Sequence, residues 1–354
     1  MLHRITLLAM IVLASLASGT APARTTCVDD RHAPALVLQR TGGPEGSGER
    51  IVASDQQRGD LDARAFAWFG GSGYRMHAFD GPGDLTLLRG FAGVVDGVVL
   101  PRPDAMSDTL RPWGYELRYK HGAFEALQLQ AGRTAVSLCV RAGRGSSAGL
   151  LLMLGANAPP MAMASSVPVA KREAPDALRR AVGAGDDVRL VLLEPLDMTD
   201  ALLVHLAFGA TQAEADATLA ALQAEADAGF DGDLWGAGIA RRRPQLEALQ
   251  LRTGDARFDE AFRWAIASNA SFRTEQFGPG LWAGLPWFRD NWGRDTFIAM
   301  PGTHLVTGEF DRARDVIANF ARLQNRAEGP EQGRVPNRVA AATETLYNTV
   351  DGTP

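Results

Sequence analysis

Two successive patterns along the chain predict two kinds of structure: an antiparallel β-sandwich and, after it, a helical region. From about residue 35 to 210, apolar and polar residues alternate with a period of two, and glycine and proline interrupt the alternation. From Asp255 onwards the apolar residues recur instead with the period of about 3.6 that is typical of helices. The chain has 354 residues, the length of about two domains.

The sandwich strands are predicted where one side of the segment is apolar and the other polar. Residues 115–119 and 136–140 show this alternation clearly, and many short strands separated by glycine-rich turns favour an antiparallel sandwich. Further strands are expected at 65–69, 85–88, 150–154, 188–193 and 202–208. By contrast, the segment 159–173 is rich in proline and alanine and shows no periodicity, so we expect a loop there.

The helices are predicted from their capping residues and apolar faces. Thr211 and Glu214 form a capping-box signature, which predicts a helix to about Ala228 with Gly229 as its stop signal. Further helices are expected from Asp255, from 296 to 306 with a kink at Pro301, and from about Glu309. Their apolar faces are expected to be Phe258, Phe262, Ala265, Ile266 and Asn269 in the first, and Phe310, Ala313, Val316, Ile317 and Phe320 in the last.

The beginning of the chain is typical of a secretory signal peptide. A short positive start precedes twelve apolar residues, 5–16, too few to span a bilayer, and Ala21-Pro22-Ala23 supplies small residues at a cleavage point. We therefore divide the chain into a signal peptide (1–23), a sandwich domain with a C-terminal helix (24–231), a linker containing a basic run and Pro244 (232–254), and a helical domain (255–354). The mature protein is expected to be secreted or periplasmic, with no membrane contact after cleavage.

Composition excludes several partners. A net charge of −5 without a basic cluster argues against nucleic acid. The six histidines are scattered without ligand spacing, so neither a metal nor another cofactor is expected. His77, His121, His205 and His304 are interpreted as packed or surface residues. The two cysteines, Cys27 and Cys139, form a disulfide or stay free thiols with similar probability, because the sequence does not fix their separation.

The segment 284–296 has the composition of a sugar-binding site. It combines Trp287 and Trp292 with Arg294, Asp295 and further charged residues around a central glycine. Aromatic rings stack on the apolar face of a pyranose, while carboxylates and guanidinium groups bind its hydroxyls. Taken alone, the adjacent pair Arg294-Asp295 is equally compatible with an ion pair that braces the start of a helix.

Two further polar segments follow, and the three together resemble a known family. The segment 333–338 ends in Pro336-Asn337-Arg338, and 347–351 reads Tyr-Asn-Thr-Val-Asp. Trp-Gly-Arg-Asp-Thr, Pro-Asn-Arg and Tyr-Asn-Thr-x-Asp, in this order, are similar to the motifs of bacterial and archaeal glycogen-debranching enzymes of the amylo-α-1,6-glucosidase type. One difference is that Asn291 stands between Asp290 and Trp292, which leaves the role of Asp290 open.

This resemblance implies a fold, an activity and a set of contacts. The helical domain would be the first part of an α/α toroid of six helical hairpins, with about three of its twelve helices before Pro354. The enzyme would hydrolyse α-1,6 branches of glycogen-like α-glucan, or of branched maltooligosaccharides, with inversion. Its substrate contacts would be Trp287, Trp292, Arg294, Asp295, Arg338, Asn348 and Asp351. The general acid and base would lie beyond Pro354, so no catalytic residue is assigned and this chain alone is expected to be inactive.

Two other functions remain open from the sequence. One is another toroid glycosidase, trehalase-like or glucoamylase-like, which assays on different substrates would distinguish. The other is a non-catalytic glucan-binding protein that keeps the sandwich and part of the cleft.

Overall fold

The structure is a computed structural model, and it describes residues 38–40, 50–53, 66–69, 78–80, 86–101, 105–111, 113–130, 134–156, 158–247, 249–275, 277–284, 288–341 and 344–348. The expected signal peptide, residues 1–23, lies outside this part of the chain, so its cleavage stays a prediction. Within the described residues no helix combines the length and the apolar character that crossing a bilayer requires.

The N-terminal half is built from antiparallel sheets, as the alternation predicts. Its strands are β1 (Leu38–Arg40), β2 (Arg50–Ala53), β3 (Phe66–Phe69), β4 (Ala78–Asp80), β5 (Thr86–Leu88), β6 (Gly90–Val95), β7 (Val98–Val99), β8 (Ser107–Arg111), β9 (Gly114–Arg118), β10 (Phe124–Leu129), β11 (Ala135–Arg141), β12 (Ala148–Gly155), β13 (Met161–Ser165), β14 (Val169–Glu173), β15 (Val188–Pro195) and β16 (Ala201–Phe208). One sheet has the order β1-β8-β9-β10-β11-β16-β13, a second β14-β15-β12-β6-β7, and a third β2-β3-β4-β5.

The first two sheets face each other across an apolar core, which makes them a sandwich. Leu127 and Leu138, which are register partners on β10 and β11, lie in the same cluster as Leu152 of β12 and Leu193 of β15. These side chains are at most 1% exposed. The apolar side of each alternating segment therefore faces the core between the two sheets, as the sequence predicts.

The outer faces of both sheets are covered by helices. Leu178 of α1 (Asp176–Ala181) packs on the outer face of the five-stranded sheet. Leu222 of α2 (Gln212–Gly229), and Trp235 of α3 (Leu234–Glu247), pack on the outer face of the seven-stranded sheet. The seven-stranded sheet is thus buried on both sides, and Cys139 of β11, which is disulfide-bonded, is fully buried under α3.

Four polar residues of the seven-stranded sheet form a buried, hydrogen-bonded row on the face that α3 covers. Gln128 Nε2 donates to the carbonyl of Trp235 at 3.0 Å, and Gln130 Nε2 donates to Gln128 and to Ser137, both at 2.7 Å. The Ser137 hydroxyl lies 2.6 Å from Nδ1 of His205. Because each of these groups has a partner, the alternation can place polar residues on a buried face without a large desolvation cost.

Two local predictions in this half are wrong. The expected loop 159–173 contains β13 and β14, which are edge strands of the two sheets. An edge strand needs only backbone pairing on one side and stays half-exposed, so its side chains need not alternate. Within the expected linker 232–254 the chain forms α3, in which Pro244 lies near the end. Burial of Trp235 and Ile239 outweighs its weak helical pattern. The role of this segment as a domain boundary remains a prediction.

The C-terminal part alternates helices with a small sheet. It contains α4 (Ala256–Phe272), β17 (Arg273–Thr274), β18 (Gly280–Gly284), β19 (Phe288–Trp292), α5 (Gly293–Met300), a π-helical turn (Pro301–Leu305), α6 (Phe310–Arg322), β20 (Arg338–Ala341) and β21 (Glu344–Leu346). The three expected helices and the break at Pro301 are confirmed. The five-stranded sheet β17-β18-β19-β20-β21 was not predicted, because its strands are short and carry the polar motif residues.

The predicted apolar faces of these helices are only partly buried. On α6, Val316 and Phe320 are buried, whereas Phe310 is 61% and Ile317 49% exposed. On α4, Ile266 is buried and Phe258 is 55% exposed. The buried stripe is therefore narrower than the apolar stripe of the sequence.

Candidate functional site

The three sequence motifs meet in one sheet. Trp292, the last residue of β19, is the register partner of Arg338, the first residue of β20, and Arg338 in turn pairs with Leu346 of β21. The chain segments that follow Trp292 and Leu346 therefore leave the sheet at the same end. They are Gly293-Arg294-Asp295 and Tyr347-Asn348. Segments about fifty residues apart in the sequence thus become neighbours through backbone pairing.

A close backbone contact explains the central glycine of the first motif. Gly293 N–H donates to the carbonyl of Asn337 at 2.8 Å. A Cβ atom added at Gly293 would lie 2.3 Å from the carbonyl oxygen of Pro336, far inside the contact distance of two heavy atoms. Only glycine allows the first and second motifs to approach this closely.

Arg338 forms an ion pair with Asp290, a residue of the neighbouring strand. Its Nε lies 2.7 Å from Oδ2 of Asp290, and its guanidinium carbon lies 5.6 Å from the centre of the Trp292 ring. Asp290, whose role the sequence left open, therefore fixes Arg338 beside Trp292. Phe288 shares the strand face with Asp290 and Trp292, because alternate residues point to one side, and it is 57% exposed.

The third motif is tied to the second by hydrogen bonds. Asn337 is buried; its N–H donates to the carbonyl of Leu346 at 2.7 Å, and its Nδ2 donates to Oδ1 of Asn348 at 3.1 Å. Arg334 Nη1 donates to the carbonyl of Tyr347 at 2.9 Å, and the Tyr347 hydroxyl donates to the carbonyl of Leu323 at 2.6 Å. These bonds make Asn348 an exposed residue on a fixed backbone. Burial raises the pKa of Tyr347, with a further contribution from nearby Glu331.

Asp295 lies in the first turn of α5, where its negative charge is favoured by the helix dipole. Its side chain is exposed, and its carboxylate makes no hydrogen bond or ion pair with the described residues. Arg294 beside it is also exposed. The remaining two predicted contacts, Trp287 and Asp351, lie outside the described residues.

A cavity of about 310 Å³ opens beside Asp295 between α4, β18 and α5. Its volume is at the low end of the range for small-molecule sites. One wall is the α5 face with Asp295, and polar and apolar side chains share the lining: Asn269, Phe272, Leu281, Trp282, Ala283, Asp295, Ile298, Ala299 and Thr303.

The loop that leads into β18 is hydrogen-bonded to Asn319 of α6. Asn319 Nδ2 donates to the carbonyls of Phe277 at 2.9 Å and Pro279 at 3.0 Å. Gly278 between them has φ of 79°, and a Cβ there would lie 2.3 Å from Asn319. Strand β18 forms one wall of the cavity, and the loop before it is thus hydrogen-bonded to α6.

The π-helical turn contributes Thr303 to the lining of the cavity. The Thr303 hydroxyl donates to the carbonyl of Ala299 at 3.0 Å and lies 2.7 Å from Nδ1 of His304. With its proton already donated, the hydroxyl accepts the Nδ1 proton of His304. Burial lowers the pKa of His304 to about 4, with contributions from Arg273 and Arg312, so this imidazole is neutral at pH 7.

The site also contains residues that the sequence analysis did not assign. The sequence leaves the role of Asp290 open and places Asn269 on the apolar face of α4, and it assigns no functional role to Trp282 or Thr303, which line the cavity. Position in the primary sequence gives no signal for Asn269 or Thr303, because tertiary packing of α4 against β18 and the π-helical turn brings these residues to the cavity that Asp295 also lines. Among the described residues no group of His, Cys, Asp or Glu has the arrangement of a metal site.

The fold of the described residues is similar to that of a solved structure. The crystal structure of a bacterial glucoamylase complexed with acarbose is similar over 90% of this chain and 56% of that chain, with a TM-score of 0.51 and 14% sequence identity. This likeness concerns the fold alone.

The family resemblance predicted from the three motifs is confirmed for the C-terminal part. Residues 264–353, which include all three motifs, match the family model described as amylo-alpha-1,6-glucosidase. The glycogen debranching enzyme of Saccharomyces cerevisiae (strain ATCC 204508 / S288c) is 39% identical over 77 residues. These cover 21% of this chain and 5% of the yeast protein, so the chain spans a small part of that relative.

Proposed function

We propose that this chain binds a glucosyl unit of an α-glucan beside Trp292, Arg294 and Asp295. In this proposal it is part of a debranching-type glycoside hydrolase that cleaves α-1,6 branches with inversion. The observation that carries the proposal is the Asp295 carboxylate, which is exposed beside a cavity and has no partner among the described residues. Two vicinal sugar hydroxyls supply the donors that such an acceptor-only group requires.

The alternative role for Asp295, an ion pair that braces the start of α5, is less well supported. No side chain caps this helix, and the Asp295 carboxylate contacts no described cation. The bracing of the site comes instead from the Asp290–Arg338 ion pair and from the backbone contacts of Gly293 and Asn337. This division of roles leaves Asp295 available for a ligand, and we propose that Arg338 and Asn348 support the site from its edge.

The proposed reaction needs groups beyond those described above. Inversion requires a general acid and a general base about 6.5–9.5 Å apart on opposite sides of the sugar. We assign neither role to a described residue. We therefore propose that the described part of this chain contributes the binding of the glucosyl unit to the reaction.

Titration calorimetry on Asp295→Asn tests the proposal. A carboxylate that accepts sugar hydroxyls contributes about 1.5–3 kcal/mol per bond, so the affinity for maltotriose or isomaltose should fall at least about tenfold. Asp311→Asn is a matched control, since Asp311 lies in the first turn of α6 and is exposed. Arg294→Lys should cost a comparable amount because lysine lacks the planar fork. An unchanged dissociation constant with a lower Tm in Asp295→Asn would exclude the proposed role.

The glucoamylase-like fold supports a second candidate, an enzyme for α-1,4 linkages. The same titration separates the candidates: stronger binding of isomaltose than of maltose favours the debranching assignment, and the reverse order favours the second.

Export of the mature protein is a further proposal. Its support is the signal-like N-terminus together with the disulfide at Cys139, a bond that persists in oxidising compartments.

A further inference from the structure

Asn269 belongs to α4, on the side of the cavity formed by that helix. The sequence placed it on the apolar face of α4, where Ile266 and Ala270 are indeed buried. Asn269 is only half-buried and lines the cavity together with Phe272. The helix therefore turns one polar side chain toward the same space that Asp295 borders from α5.

The carboxamide of Asn269 is not used by the fold. It makes no hydrogen bond with the described residues, although it carries two donors and one acceptor. The other asparagines around the site are engaged: Asn319 holds the loop before β18, and Asn337 holds Asn348. A half-buried polar group without a protein partner loses part of its hydration, and a hydrogen bond to a bound ligand would compensate for that loss.

Asp295 and Asn269, which both line the cavity, are chemically complementary. Asp295 can only accept hydrogen bonds, whereas Asn269 can donate. The hydroxyl of Thr303 is already committed to Ala299. A sugar hydroxyl can donate to a carboxylate and accept from a carboxamide. Trp282 and Phe272 in the lining suit the C–H face of the ring.

We propose that Asn269 is a substrate-contacting residue that lines the same cavity as Asp295 and donates to a hydroxyl of the bound glucosyl ring. This inference rests on the proposed function, because it takes the ligand to be a sugar. It adds a contact from α4, a helix that carries none of the three motifs, and it makes the packing of α4 against β18 and the π-helical turn part of sugar recognition.

The test is titration calorimetry with acarbose and maltotriose on three variants of the complete chain. Asn269→Ala should weaken binding about 3–10-fold, the effect of one neutral hydrogen bond. Ser268→Ala is the control, since Ser268 is the exposed neighbour on α4 and does not line the cavity; its affinity should match the wild type.

Asn269→Asp keeps the shape of the side chain and gives a readout that a structural role would not produce. At pH 7 a second carboxylate in the same cavity removes the donor, so binding should weaken at least as much as in Asn269→Ala. As the pH falls to about 4, the ordinary range of an aspartic carboxyl, the new side chain takes up a proton and regains a donor, so the affinity of the variant relative to the wild type should recover.

The outcomes separate this inference from the function on which it rests. If Asp295→Asn weakens binding while both Asn269 variants bind like the wild type, the contact from Asn269 is wrong and the sugar site stands. If the wild type binds neither sugar, both are overturned. A loss of affinity in Asn269→Asp that does not change with pH also contradicts the proposed donor.

Discussion

The sandwich and the C-terminal part of the chain bury their apolar residues to different extents. In the sandwich, both faces of the seven-stranded sheet are covered, and its polar residues are paired inside. Of the twelve large exposed apolar side chains among the described residues, eight lie in the shorter C-terminal part, for example Ile298 at 74% and Phe310 at 61% exposure. A closed core and a partly open one therefore coexist in one chain.

The difference also separates stability from function. In the sandwich the buried ionic and polar groups satisfy one another, as Arg111 and Glu116 do. In the C-terminal part, Asp295 and Asn269 border a cavity without partners among the described residues. Polar groups that are left unpaired beside a cavity can bind a ligand. The buried polar groups of the sandwich named above are already bonded to one another and serve stability.

The largest expected effect concerns ion pairs in the two regions. Arg111 and Glu116 form a bidentate pair, at 2.9 and 3.1 Å, with both side chains at most 7% exposed. Glu116→Ala leaves a buried charge and should lower the free energy of unfolding by about 3–5 kcal/mol. Asp311→Ala, which removes the exposed pair with Arg314, should change it by less than about 0.5 kcal/mol. Urea unfolding measures both, and equal losses would mean that the two regions do not differ in this respect.

How far the sequence predicted the fold also differs between the two regions. The sandwich strands were predictable because each is an alternating segment with one face on the core. The edge strands β13 and β14 were not, because backbone pairing holds them and their side chains are half-exposed. Helix α3 was missed for a related reason: Trp235 and Ile239 bury it against the sheet, while its own sequence favours no helix.

At the site, the sequence predicted the motifs but not what each residue contacts. Gly293 was recognised as the centre of a motif, yet its need for glycine depends on the carbonyl of Pro336, more than forty residues away. Arg338 was read as a sugar contact, and its ion pair with Asp290 follows from the pairing of β19 with β20. Contacts of this kind depend on tertiary packing, which local patterns do not encode.

An intermediate effect is expected from the two buried neutral histidines, one in each region. Burial lowers the pKa of His205 to about 4, below the ordinary value of 6.5. As pH falls below about 6.5 the unfolded chain takes up a proton that the folded sandwich does not, so stability falls between pH 6.5 and pH 4. Between pH 7 and pH 5 this amounts to about 2 kcal/mol for one such group.

Urea unfolding of His205→Gln at both pH values measures this effect. The variant should lose about 2 kcal/mol less than the wild type on acidification. His304→Gln gives the comparison in the other region, since the pKa of His304 is also lowered to about 4. If the C-terminal part unfolds separately, the effect of His304 should appear in its own transition. An identical pH dependence in the wild type and His205→Gln would contradict the buried neutral state of this side chain.

The smallest expected effect per substitution concerns the exposed apolar side chains of α6. Phe310 and Ile317 belong to the helix whose other face, with Val316 and Phe320, is buried. Because contiguous exposed apolar surface favours association, the chain should self-associate as its concentration rises. Phe310→Ser combined with Ile317→Ser should shift it towards monomer in light scattering, without a change in Tm beyond a few degrees. Val98→Ser combined with Met198→Ser is the control: these side chains are 68% and 80% exposed on the sandwich. If the control pair lowers association as much as the α6 pair, any exposed apolar side chain promotes association, and the C-terminal part has no special role in it.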